Sequence, residues 1–165
     1  MDPKTLVTDK IVEYCKKLQI IFVVGYTKTG KYTIAKELAD RLHVDIFISD
    51  DFVARYGHKG SLSQLELEIE HCYYSGKPAI FEGILCYRLL RKLGQKGYIY
   101  PDLIIKTECN NETIRYFYEK EEPNKNLSRV FGFNQGLEKI WNEYIDLVYS
   151  QGKTVKLLNL NTSII

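Results

Sequence analysis

Short apolar runs alternate with stretches of helical spacing along the chain, a pattern that predicts strands separated by helices. Residues 18–24 form the first run, Leu-Gln-Ile-Ile-Phe-Val-Val. A strand covered on both sheet faces reads as a continuous apolar stretch, so this one is predicted to be buried and central. Further strands are predicted at residues 44–49, 79–82, 102–107 and 154–160. Between them, Leu6, Val7, Ile11, Tyr14, Cys15 and Leu18 are spaced for an amphipathic helix over residues 5–17, and a second helix is expected at 34–42. Ser63-Gln64-Leu65-Glu66 has the capping-box pattern and predicts a helix start, continued by Leu67, Ile69 and Cys72 and stopped by Gly76 and Pro78. Helices are also expected at residues 84–93, from Asn110 or Asn111 to about 119, and at 137–149. Residues 119–126 are polar, charged and broken by Pro123, the composition of a mobile loop, so a lid is expected at about 115–136.

This order predicts an α/β, doubly wound, five-stranded parallel sheet with helices on both faces, because parallel neighbours need crossovers and both faces must be covered. In such sheets ligands bind outside the carboxyl ends of the strands. The first strand runs there into Gly25-Tyr26-Thr27-Lys28-Thr29-Gly30-Lys31-Tyr32-Thr33, followed by the helical pattern. Glycines in this setting let the backbone curl so that successive N–H groups point at a phosphate, while the helix N-terminus adds partial positive charge and Lys31 can reach phosphate oxygens. The segment therefore reads as a phosphate-binding P-loop. Tyr32 stands where a short hydroxyl, Ser or Thr, would ligate Mg²⁺.

Composition changes little in this picture. The chain has 165 residues, 45% of them hydrophobic, which suits a single domain over residues 1–165. A net charge of +2 demands neither nucleic acid nor a membrane as partner. The longest apolar run is too short to span a bilayer and no signal-peptide core is present, so a cytoplasmic protein is expected. Cys15, Cys72, Cys86 and Cys109 are widely spaced without a Cys-x-x-Cys pair and read as reduced structural thiols. His43, His58 and His71 lack metal-ligand spacing.

Two acidic elements are expected beside the P-loop: Asp50-Asp51 at the tip of the strand at 44–49, and Glu82 ending the strand at 79–82. Phosphoryl transfer needs phosphates held in line, charge neutralised by Mg²⁺ and cations, and an acceptor hydroxyl oriented by a carboxylate. In that chemistry Lys31 and the loop amides would hold ATP and Asp50 would meet the acceptor. Glu82 would organise Mg²⁺ or the acceptor, and Thr33, Asp50 and Glu82 would serve the metal, in part through water. Arg115, Lys120, Lys125 and Arg129 would close over the transferring group, and Lys28 would also touch phosphate. Each has a plainer alternative: Asp50-Asp51 as a turn cap, Glu82 as a solvated strand end, and the lid cations as solvated side chains.

With these residues assembled, the chain resembles the P-loop small-molecule kinases, in particular the uridine kinase and nicotinamide riboside kinase group. The likeness lies in residues 25–33, in Ile48-Ser-Asp-Asp-Phe52, in Ala79-Ile-Phe-Glu-Gly-Ile-Leu85 and in Pro101-Asp-Leu-Ile-Ile-Lys106. It implies ATP and Mg²⁺ as cofactors and a small-molecule hydroxyl acceptor, a nucleoside or ribosylated metabolite. It further implies that Asp50 is the acceptor base supported by Asp51, and that Glu82 belongs to the acceptor and Mg²⁺ site. Tyr32, the short segment between the acidic pair and Glu82, and a lid with only Arg115 and Arg129 depart from the group's pattern. Two other readings stay open: a non-catalytic ATP-binding regulatory protein, and a kinase acting on nucleic-acid hydroxyls. No Asn-Lys-x-Asp guanine-recognition pattern is present.

Overall fold

The computed structural model describes residues 2–164. A 3-10 turn at Pro3–Leu6 leads into α1 (Asp9–Cys15), β1 (Ile20–Val24), α2 (Lys31–Leu42), β2 (Asp45–Ile48), α3 (Ser49–Ser75) and β3 (Ala79–Glu82). The chain continues through α4 (Leu85–Lys96), β4 (Leu103–Glu108), α5 (Asn111–Glu121), α6 (Leu127–Ser150) and β5 (Leu157–Asn161). The five strands form one sheet in the order β2-β3-β1-β4-β5, every neighbouring pair parallel. The expected doubly wound sheet is therefore present, with β1 at its centre.

The period-two alternation of strand side chains divides the core. Ile20, Phe22, Val24, Ala79, Phe81 and Ile104 face the layer of α3, α4 and α6, packing with Leu65, Leu89, Leu137 and Trp141. Ile21, Val23, Ile80, Leu103 and Ile105 face α1 and α2, packing with Val12, Ile34 and Leu38. The register aligns Phe22 with Phe81 and Phe81 with Phe47. Their rings stack at centroid separations of 5.5 Å and 4.9 Å, and Phe52 in the first turns of α3 tilts against Phe47 at 6.3 Å. This aromatic row seats the start of α3 on the sheet.

Several boundaries differ from the sequence expectation. The N-terminal segment is a 3-10 turn and a short helix rather than one helix over residues 5–17, because the Thr8 hydroxyl accepts from the Ile11 N–H and restarts the chain as α1. The capping-box sequence at Ser63 lies inside α3, which begins at Ser49 and carries a break only at Gly57, with φ 73° and ψ 173°. Asp50 and Asp51 therefore sit in the first turn of a helix, not on a strand tip. The loop expected at residues 119–126 is present but shorter: α5 runs to Glu121, residues 122–126 form the loop, and Asn126 caps α6 by accepting from the Arg129 N–H. The segment expected as a lid is thus two helices joined at residues 122–126. Cys15, Cys72, Cys86 and Cys109 are free thiols, as expected.

Gly57 occupies a backbone region that L side chains rarely adopt, although a methyl group there would meet open space. Gly57→Ala is expected to lower stability by about 1–3 kcal/mol through backbone strain alone, measured by chemical denaturation; an unchanged midpoint would show that the break can straighten at no cost.

Candidate functional site

Parallel pairing sets Glu82 beside Val23 of β1 and beside Ile48 of β2. Gly25 follows Val23 by two residues, and Asp50 follows Ile48 by two, so the loop after β1, the first turn of α3 and the end of β3 meet at one edge of the sheet. At Gly25 a Cβ would lie 1.8 Å from Thr107 Oγ1 and 2.8 Å from Thr29 Oγ1, so only a hydrogen fits. The Thr29 and Thr107 hydroxyls are 2.7 Å apart, and Thr29 donates to the Tyr26 carbonyl at 2.7 Å. This bond ties the middle of the loop to β4. Gly30 caps α2 with φ 80°, and a Cβ there would meet Pro3 Cγ at 2.6 Å, so the N-terminal turn backs the loop.

Lys31 opens α2 and donates from Nζ to the Tyr26 carbonyl at 3.2 Å. Burial pulls its ammonium below the usual lysine range, while Glu82 and Asp50 act in the opposite direction. Glu82 is 4% exposed, and burial pushes its carboxyl up to about 7; Lys31 opposes the shift, and Asp50 and Asp51 add to it. Lys31, Glu82 and Asp50 are therefore brought within electrostatic reach of one another. Asp50 and Asp51 are exposed. Gly83 has φ 128° and approaches Ser49 so closely that a Cβ would sit 1.9 Å from Ser49 Oγ, a buried hydroxyl without a hydrogen-bond partner.

Asp50 lines a cavity of about 260 Å³ with His58, Ile84, Leu85, Arg88 and Phe133. Phe133 also borders a cavity of about 680 Å³ lined by Thr27 of the loop and by Tyr118, Asn124, Lys125 and Arg129. The two spaces adjoin at this ring, which is 48% exposed. Of the expected lid cations, Arg129 and Lys125 thus face the loop. Arg115 stands on the exposed side of α5 over the Phe131 ring at 5.5 Å, and Lys120 lies over Tyr116 at 5.9 Å. Lys28, at φ 63°, has its Nζ 2.7 Å from Glu121 and 2.9 Å from Glu122, over the Tyr118 ring at 5.2 Å. The end of α5 therefore takes up the ammonium expected to touch phosphate.

A second tether escaped the sequence reading. Tyr26 donates its phenol to Glu138 of α6 at 2.7 Å, and buried Lys106 at the end of β4 lies 3.3 Å from the same oxygen. Burial and the Glu138 carboxylate hold the Tyr26 phenol well above its ordinary pKa, so it remains a donor. Lys106 near the tip of a buried strand was a legible signal; Glu138 and Arg88, one charge among many on a helix, were not.

Tyr32 is half exposed, and Thr33, one residue on, is half-buried in the first turn of α2. Among the described residues no three His, Cys, Asp or Glu side chains form a metal-binding group. Two carboxylates beside the loop after β1 fit Mg²⁺, an ion that keeps several waters and takes few protein ligands. Asp50 and Glu82, with the unpartnered Ser49 hydroxyl between Gly83 and Asp50, are the groups available for it.

The fold is similar to that of solved kinase structures. A candidate kinase from Chloroflexus aurantiacus J-10-fl matches over 89% of this chain and 89% of its own, at 18% identity and a TM-score of 0.54. Shikimate kinase from Acinetobacter baumannii, solved in complex with shikimate, matches over 89% of this chain and 86% of its own, at 15% identity and a TM-score of 0.50. At these identities the likeness is one of fold. No family model and no curated protein matches the chain. Among the described residues no helix is long and apolar enough to cross a membrane.

The raised Glu82 pKa has a defined sign in stability. The folded state binds this proton more tightly than the unfolded chain, so the contribution of Glu82 falls as pH rises from about 4.5 to about 7 and is flat above that. Glu82→Gln is expected to gain on the order of 3 kcal/mol relative to the parent across this window, read from urea melts at several pH values. A constant difference between the two proteins would contradict the buried, destabilised carboxylate.

Proposed function

We propose that the chain is an ATP-dependent phosphotransferase that moves the γ-phosphoryl group to a hydroxyl of a small molecule. The observation that carries this reading is the meeting of Lys31, Glu82 and Asp50, close enough for the carboxylates of Glu82 and Asp50 to act on the Lys31 ammonium, beside a cavity that Asp50 itself lines. The loop amides and the N-terminus of α2 would hold the phosphates, with Lys31 leaving the Tyr26 carbonyl for the β- and γ-oxygens. Asp50 and Glu82 would hold Mg²⁺, with Thr33 contributing through water, and the ion would supply positive charge against the phosphates.

Asp50 would accept the proton of the acceptor hydroxyl as its oxygen bonds to the γ-phosphorus and the bond to the bridging oxygen of ADP breaks. Asp51, its neighbour in the helix turn, would support that charge arrangement. Arg129 and Lys125 line the cavity beside Thr27 and would meet the transferring group as the α5–α6 pair closes; Arg115 would act only after a larger movement of α5.

For the acceptor we favour a nucleoside or ribosylated metabolite. The resemblance to the uridine kinase and nicotinamide riboside kinase group supports this, as does the exposed Phe133 ring beside apolar Ile84 and Leu85, a surface on which a flat base can lie. The name shikimate kinase on a structural neighbour makes a hydroxylated carboxylate the other acceptor class to include, and unpaired Arg88 in the same cavity suits it.

The test is transfer of labelled γ-phosphate from ATP with Mg²⁺ to pooled nucleosides, ribosylated vitamins, hydroxy acids, sugars and oligonucleotides. Asp50→Asn is expected to cost about 10²–10⁴-fold in turnover while ATP still binds. ATP binding without transfer to any pool would overturn the enzyme reading. It would favour a nucleotide-dependent binding protein, the alternative that Tyr32 at the metal-ligand position supports.

A further inference from the structure

At the far edge of the sheet, β5 is hydrogen-bonded to β4 alone among the strands, so one side of its backbone has no partner strand. Such an edge is a ready template for another extended chain. Beside it, α1 and the start of β5 enclose a groove of about 680 Å³ floored by Ile11, Tyr14, Leu157 and Leu158. Two of these apolar side chains are open to solvent, Tyr14 at 52% and Leu157 at 41%. The groove continues into a second hollow of about 520 Å³ that reaches Lys17. It lies at the N-terminal ends of β4 and β5, opposite the loop after β1, and the phosphoryl-transfer reading makes no use of it.

The rim of the groove carries three lysines and, in the second hollow, one carboxylate, Glu13. Lys10, Lys17 and Lys156 surround it, and among the described residues none of the three makes an ion pair. The nearby carboxylate, Glu13, is occupied by Lys16 at 2.9 Å. Three unpaired ammonium groups around an exposed apolar floor and an open strand edge are complementary to one kind of occupant. A second copy of this chain, set antiparallel edge to edge, would bring the end of β5 at Leu160 and Asn161, which carries no carboxylate, against these lysines and leave them unsatisfied. A flat anionic surface would satisfy the lysines but not the recessed floor or the strand backbone.

We infer that this edge docks an acidic, extended segment of a partner protein, which adds beside β5 as a further parallel or antiparallel strand. Side chains on one face of the segment rest on Tyr14, and its carboxylates face Lys10, Lys17 and Lys156.

The probe is a fluorescein-labelled peptide alternating glutamate with valine, titrated with the intact protein and followed by fluorescence anisotropy. The expected result is saturable binding that weakens with added salt. It should weaken about tenfold or more in the double variant Lys10→Glu, Lys156→Glu, which changes only exposed charges and whose fold is checked by its thermal melt. A peptide with proline at alternate positions, unable to complete a strand ladder, is expected not to bind. No binding, or equal binding by the charge-reversed variant, overturns the proposal. It is equally overturned if phosphatidylserine vesicles bind in place of the peptide, or if sedimentation shows a self-associated protein that the same double variant dissociates.

Discussion

The turn from β1 into α2 is held by a contact that only a hydrogen atom allows. Gly25 stands so close to Thr107 that no Cβ could be placed there, and the Thr29–Thr107 hydroxyl pair locks the loop in that position against β4. The rest of the site follows from this closeness. With the loop pulled onto the sheet, Lys31 starts α2, and its ammonium turns back to the Tyr26 carbonyl. Pro3 covers Gly30 from the other side, which gives the N-terminal turn a structural task that its sequence did not announce.

Electrostatics then makes the edge of the sheet costly to leave empty. Lys31 loses solvation and so does Glu82, and each resists the other's tendency to become neutral. A carboxylate pushed up to about 7 beside exposed Asp50 and Asp51 is a site awaiting positive charge. Meanwhile two cations of the loop region are held by carboxylates of the helical pair, Lys28 by Glu121 and Glu122, and Lys106 by Glu138, which also takes the Tyr26 phenol. Both tethers join the loop after β1 to α5 and α6, so the position of that pair and the conformation of the loop are physically linked. Because the α5 tether is largely exposed, it is an exchangeable contact rather than a source of stability.

The sheet was legible because the buried central strands leave a simple trace of continuous apolar runs, while the edge strands β2 and β5 are only partly buried and β5 begins at Leu157 rather than at residue 154. The loop was legible because a glycine requirement and a lysine at fixed spacing are written in neighbouring residues. Some helix boundaries were legible, such as the Asn110 cap of α5 and the end of α2 at Leu42, but others were not, for identifiable reasons. The Ser63 capping box is overridden because α3 is already seated at Ser49 by Phe52 on Phe47 and needs no new start. Residues 127–136 look irregular, with Gly132 and Gly136 among them, yet a Cβ at either glycine would meet open space, so they mark no turn and α6 simply runs through them. The partners of the loop were hidden because Thr107, Glu121, Glu122 and Glu138 lie far from it in sequence, and only the fold brings them close.

The central claim is that the loop after β1 is a phosphate-binding site whose charge is supplied by Lys31. The most direct measurement is calorimetric titration of the intact protein with ATP in the presence of Mg²⁺, beside the Lys31→Ala variant and with the thermal melt of each recorded. The structure predicts one ATP bound per chain and a loss of at least about tenfold in affinity when the ammonium is removed, with the fold retained. Equal affinity in the two proteins, or no heat of binding in the parent, would contradict it.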